Sequence, residues 1–219
     1  TNDNFDVNAL SALNNERLPF ILDISCANAD YIKHPRPFGK AWVTQENSGK
    51  NVGAVAYYGG SVNISWDPPA VMAIGVSKAH FEKPVHHLGG TVLAGQIYLS
   101  EQKGVGDEFI DNLRWYQLFG DPSMELRTAG PTRIKTSQTL KRSGQFSVLT
   151  IKVTDDKLQP LSGAQVAVSI PNTYKTSAVG RTDSQGRVEL KLADSESLTR
   201  SNITVSGYNL VTHIESVKQ

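Results

Sequence analysis

The feature that most constrains this chain is a change of pattern near Gly130-Pro131. Before it lie Trp42, Trp66 and Trp115, the single cysteine Cys26, and long apolar runs. After it there is no tryptophan, and the chain breaks into short alternating segments. With 219 residues, two units of ordinary domain size fit better than one. We place the boundary at 128–132, where Thr128-Ala129-Gly130-Pro131 reads as a linker.

The first unit reads as three-layer α/β. Val7, Leu10 and Leu13 fall on one face of a short helix over 6–15. Leu18 to Ile24 and Val52 to Tyr58 are nearly continuous apolar runs, as expected of strands covered on both faces. Helices are expected over 38–48, over Val71 to Phe81 after Pro68-Pro69, and over Asp107 to Gln117. Val92 to Tyr98 is ambiguous and can begin a helix that runs towards Glu101. Strand and helix alternate, which implies a layered α/β sheet.

The second unit, 131–219, reads as an all-β, immunoglobulin-like sandwich. Ser147 to Val153, Ala164 to Ile170, Arg187 to Leu192 and Ile203 to Tyr208 alternate with period 2. Asp155-Asp156-Lys157 and Asp183-Ser184-Gln185-Gly186 read as turns. With one histidine, His213, no cysteine and no acidic cluster, it suits a spacer or interaction module.

Charge and cysteine usage exclude several classes. A net charge of +1 lacks the basic face that nucleic acid demands. No apolar run reaches the ~18 residues of a membrane span. Thr1 opens a polar stretch with no signal-peptide pattern, so the chain reads as soluble as given or as a processed piece of something longer. One cysteine makes neither an internal disulfide nor a cysteine-based zinc site. No cofactor is expected, and a structural calcium has no assignable ligands.

Cys26 is the candidate nucleophile. It ends an apolar strand, and the carboxyl ends of strands are where open α/β sheets place their sites. Backbone N–H groups there can stabilise a developing oxyanion. A nucleophilic thiol needs a base within hydrogen-bond reach, and His34, His80, His86 and His87 are the histidines of the first unit. His34 lies eight residues past Cys26 among prolines; the others read as structural or surface residues.

Leu18 to Tyr31, with Ser25 and Cys26 closing the strand, resembles the nucleophile strand of the gingipain-type cysteine peptidases, a family in the same broad group as caspases. Gly59 to Pro68 is similar to that family's Asn-x-Ser-Trp loop, here Asn63-Ile64-Ser65-Trp66. Leu118-Phe119-Gly120-Asp121-Pro122-Ser123 resembles the segment closing the catalytic domain, which an immunoglobulin-like domain follows. The resemblance implies the carboxyl-terminal part, 1–128, of a caspase-like peptidase domain in a secreted or bacterial cell-surface protein. It implies Cys26 as nucleophile for a polypeptide substrate, through a thioester acyl-enzyme. Trp66 is then the wall of the specificity pocket, with Ile64, Ser65 and Asp67 around it. Asp67 reads equally as a helix N-cap. Ile64 stands where arginine-directed members carry a polar residue, which argues against strict arginine specificity. The family's catalytic His lies upstream of the Cys, and none of the 25 residues before Cys26 is His. The resemblance therefore calls for an upstream segment or second chain of the same precursor to supply the base. Two other readings stay open: an inactive peptidase-like adhesion or secretion module, and a sortase-like transpeptidase.

Overall fold

A computed structural model describes residues 5–83, 85–173, 176–193, 198 and 200–218. The chain divides into two compact units, Thr1–Leu126 and Arg127–Gln219. Residues 127–132 are tied into the second unit. Thr132 N–H donates to Asn209 O at 2.7 Å, and Val211 N–H donates to Thr132 O at 2.9 Å.

The first unit is built on a three-stranded sheet in the order β1-β4-β5. Strand β1, Phe20–Leu22, runs parallel to β4, Ala56–Gly60. Strand β5, Tyr116–Phe119, runs antiparallel to β4. Helices α2, Asp67–Glu82, α3, Leu88–Lys103, and α4, Asp107–Trp115, follow β4 in the chain. Met72, Val76, Leu88, Val92 and Leu99 from these helices share a core with Ala56, Tyr58 and Tyr116 of the sheet. Helix α1, Phe38–Val43, meets the other face, where Phe38 packs edge-on against Tyr57 at 6.4 Å between ring centroids. Helices thus cover both faces of a mixed sheet.

Five local expectations are corrected. The helix over 6–15 is a single 3-10 turn, Ala9–Ala12. Only Leu10 is buried there, so a longer helix has no apolar face to bury. The helix over 38–48 stops at Val43, and Glu46–Asn47 and Lys50–Asn51 form a small hairpin, β2 and β3. Its turn is Ser48-Gly49, both at positive φ (53° and 77°), which suits a tight hairpin and not a helix. The second apolar run pairs over Ala56–Gly60 rather than from Val52. The helix over 107–117 ends at Trp115, where Tyr116 turns to extended backbone and enters the sheet. Helix α2 also begins four residues before Val71, because its prolines sit in the first turn, where no intrahelical N–H is required.

The second unit has two antiparallel sheets. One has the order β10-β7-β6 and the other β12-β11-β8-β9. The strands are β6 Lys135–Ser143, β7 Phe146–Thr154, β8 Gln165–Ser169, β9 Thr176–Arg181, β10 Arg187–Ala193, β11 Asn202–Ser206 and β12 His213–Ser216. Alternate residues Leu149, Ile151 and Val153 of β7 and Val188, Leu190 and Leu192 of β10 enter one core with Val166, Val168, Ile203 and Val205 of the other sheet. The turn before β10 is closed by Asp183, whose Oδ1 accepts from the N–H groups of Gln185 and Arg187 at 2.8 and 2.9 Å.

Candidate active site

Strand β1 ends at Leu22, and the chain then makes a tight turn from Asp23 to Asn28 that lifts Cys26 to the surface. Asp23 N–H continues the parallel ladder to Tyr58 O at 2.9 Å. Its carboxylate then organises the turn. Oδ1 accepts from Ser25 N–H at 2.8 Å. Oδ2 accepts from Asn28 Nδ2 at 2.9 Å and from the Tyr57 hydroxyl. Burial first, and then the Asp23 carboxylate, hold the Tyr57 phenol far above its ordinary range, so it remains a donor. Ala27 adopts a positive φ of 56°, and its N–H donates to Val62 O at 2.9 Å. Ala29 N–H donates to Gly60 O at the same distance. The turn is therefore pinned on both sides of Cys26.

The thiol is free and exposed. Its Sγ lies 3.6 Å from Ile64 O, where the neutral S–H donates weakly. Among the described residues no acceptor takes the N–H of Cys26, which leaves that donor open at the mouth of the sheet. Such a group is what a tetrahedral oxyanion requires.

The segment after β4 supplies the other residues. The Ile64 side chain is buried in the core, and Ile64 reaches Cys26 through its carbonyl. Ser65 is exposed. Trp66 is 82% exposed and occupies the N-cap position of α2. Asp67 is thus not the cap but the first helical residue, and its carboxylate is paired with Lys103 at the far end of α3. That hydrogen bond to Asp67, and then its charge, raise the Lys103 pKa.

No hydrogen bond joins a histidine to Cys26 among the described residues. His34 is exposed, and only its backbone N–H is engaged, with Asp30 O. His87 caps α3, and its Nδ1 meets Ser123 O at 2.9 Å. His86 O accepts from Leu126 N–H at 2.8 Å. His80 is pushed down in pKa by burial first and then by His86. The Gly120-Asp121-Pro122-Ser123 segment is structural: Gly89 N–H donates to Pro122 O and Leu88 N–H to Met124 O, both at 2.8 Å, clasping the start of α3. Among the described residues, no group of three or more His, Cys, Asp and Glu side chains is placed to hold a metal ion. No helix among them is long and apolar enough to cross a membrane.

Sequence reasoning missed the brace beneath Cys26. Asp23 and Asn28 flank Cys26 in the sequence, but nothing there shows that one carboxylate gathers three donors. Replacing Asp23 with alanine removes those bonds and leaves the Tyr57 hydroxyl without its acceptor. We expect a loss of about 2–3 kcal/mol, the usual scale for hydrogen bonds to a charged group, read from urea unfolding of the chain followed by tryptophan fluorescence.

The fold and turn together define an exposed thiol presented at the end of a parallel strand pair. Residues 1–127 match the model of peptidase family C25, and the chain belongs to that family of gingipain-like cysteine peptidases. Gingipain R2 of Porphyromonas gingivalis is 30% identical over 212 residues, covering 94% of this chain and 27% of the relative. Among solved structures, the Arg-specific cysteine proteinase gingipain R is similar with a TM-score of 0.78 at 26% identity, over 95% of this chain and 47% of that one. The complex of Porphyromonas gingivalis RgpB pro- and mature domains is equally similar, at a TM-score of 0.78 and 27% identity over 95% and 48%. The chain thus spans about a quarter of the curated relative and about half of each solved chain.

Proposed function

We propose that this chain is the nucleophile-bearing part of a secreted or cell-surface cysteine endopeptidase. The observation that carries the reading is Cys26, exposed on a braced turn at the end of β1 with its own N–H unclaimed among the described residues. Cys26 as thiolate attacks the scissile carbonyl, and the thioester formed is hydrolysed by water. The N–H of Cys26 supplies half of the oxyanion hole. Trp66 walls the pocket for the residue before the cleaved bond, offering an aromatic face to an aliphatic stem or a cation. Ser65 stands at the rim. Asp67, tied to Lys103, acts on the substrate only if that exposed pair opens.

The base is a histidine on an upstream segment or second chain of the same precursor, since among the described residues no histidine is hydrogen-bonded to the thiol. The likeness to a complex of pro- and mature domains adds a pro-segment as a partner. Residues 1–128 form the carboxyl-terminal part of a caspase-like peptidase domain. Residues 131–219 form an immunoglobulin-like sandwich that carries no chemistry.

The test is covalent labelling. With the upstream part present, a peptidyl chloromethyl ketone is expected to alkylate Cys26, read by mass spectrometry of the digested complex. A folded complex with no adduct on Cys26 would favour an inactive binding module instead.

A further inference from the structure

Tyr57 occupies a slot that the fold makes by leaving side chains out. It lies on the central strand β4, paired with Ile21 on one side and Phe119 on the other, and it is fully buried. A Cβ on Gly39, in the first turn of α1, would sit 2.6 and 2.7 Å from Cδ1 and Cε1 of its ring. A Cβ on Gly59, two residues further along β4, would sit 2.6 Å from Cε1 and 3.3 Å from Asp23 Cβ. Neither glycine has a positive φ, so it is the ring and not the backbone that excludes a side chain there.

Phenylalanine would fill the same slot. The hydroxyl is what tyrosine adds, and it lands on Asp23. The ring runs over Gly59, and the Asp23 side chain stands against the same glycine. The O–H donates to Asp23 Oδ2. Burial first, and then the Asp23 carboxylate, keep the phenol protonated and able to donate.

The three donors on that carboxylate are not equivalent. Ser25 N–H, at 2.8 Å, and Asn28 Nδ2, at 2.9 Å, belong to the turn itself and move with it. Tyr57 is the donor that comes from the sheet. The two limbs of the turn differ in the same way. The far limb is tied by its backbone: Ala27 N–H donates to Val62 O, Ala29 N–H to Gly60 O, and Gly39 N–H of α1 to Asn28 O, each at 2.9 Å. Among the described residues, the near limb from Ile24 to Cys26 is held only through the Asp23 carboxylate and the weak contact of Sγ with Ile64 O.

We propose that Tyr57 is a positioning residue for the Cys26 turn: acting through Asp23, its buried hydroxyl locks the limb that carries the thiol and the Cys26 N–H onto the sheet. Attack on a carbonyl and stabilisation of its oxyanion both demand that the sulfur and the donor be held in place before the reaction. Without the hydroxyl, the carboxylate keeps Ser25 and Asn28 but loses its tie to β4. The near limb then moves as a unit with Asp23 while the core beneath it stays packed, because a phenyl ring still fills the slot. The inference rests on reading Cys26 as the nucleophile, and one arm of its test needs neither that reading nor turnover.

The experiment compares wild type with Tyr57→Phe in two ways. Amide hydrogen exchange is followed by NMR in the 219-residue chain, and peptide cleavage is followed in the enzyme reassembled with its upstream part. Protection of the Ser25 amide is expected to fall at least about tenfold in the variant, while the amides of β4 keep theirs. The kcat is expected to fall about 10–100-fold with KM within about twofold, since the turn does its work in the transition state. In an Asp23→Ala background the same substitution should cost nothing further, because the hydroxyl acts only through that carboxylate. Unchanged protection of Ser25, a KM that rises while kcat holds, or an equal loss in the Asp23→Ala background each overturns the proposal. If Cys26 is not the nucleophile, cleavage and labelling fail in both proteins, and the exchange arm still decides whether Tyr57 holds the turn. Should Tyr57→Phe fail to fold, 4-fluorophenylalanine at position 57, which fills the place of the hydroxyl without donating, takes its place in the same measurements.

Discussion

Replacing Cys26 with alanine will abolish peptide cleavage by the enzyme reassembled with its upstream part. The drop in kcat is expected to be at least about 10⁴-fold, or roughly 5.5 kcal/mol of barrier. The size follows from covalent catalysis. Without Sγ there is no thioester, and the remaining oxyanion donor and pocket can only assist water. Cys26→Ser keeps the turn, because Asp23, Ala27 and Ala29 hold it through groups the substitution does not touch. It should still fall by several orders of magnitude, since a hydroxyl is a far weaker nucleophile at neutral pH. Rates are read from a fluorogenic peptide under single-turnover conditions, with circular dichroism to show the variants folded. The same assay on the chain alone should give no turnover. A thiol without a base beside it is a poor nucleophile, and among the described residues no histidine is hydrogen-bonded to Cys26. Cleavage that survives Cys26→Ala would place the chemistry elsewhere.

How much of this was legible depends on which group of each residue does the work. Cys26 stands out because a run of apolar residues ending in a small residue and a thiol is a side-chain pattern. Trp66 stands out for the same reason, and the structure leaves it exposed at the start of α2. The surroundings of Ile64 were not legible. Its side chain belongs to the core, and the contribution to the thiol comes from a carbonyl that any residue carries. Tyr116 was hidden inside an expected helix. The run from Asp107 to Gln117 is amphipathic, and only pairing with β4 turns the chain into a strand at Tyr116. The β2–β3 hairpin was missed because Ser48 adopts positive φ without being glycine. The alternating strands of the second unit were easier. Residues at every second position of β7 and β10 enter the core, so period 2 shows directly in the sequence.

Gly95→Leu will unfold the first unit while sparing the second. Helices α2 and α3 approach through two glycines. A Cβ on Gly95 would lie 2.4 Å from Val76 Cγ2 and 2.9 Å from Met72 O, and one on Gly75 would lie 2.5 Å from Tyr98 Cβ. Met72 O is backbone and cannot rotate away, so the helices must separate. Met72 and Val76 are core residues between α2 and the sheet, and separation opens that core. Overpacking alone costs about 1–3 kcal/mol. Lost packing of core side chains, at about 1.5–3 kcal/mol each, carries the total beyond that. A first unit with the usual few kcal/mol of margin does not survive it, whereas Gly95→Ala, one methyl against the same backbone oxygen, should lower the transition by several degrees and leave it cooperative. Differential scanning calorimetry separates the units, because the core of the second contains no residue of α2 or α3. Its transition should remain in both variants. If Gly95→Leu melted like wild type, the helices would have to slide past each other freely, and the turn carrying Cys26 would rest on a softer platform than this packing describes.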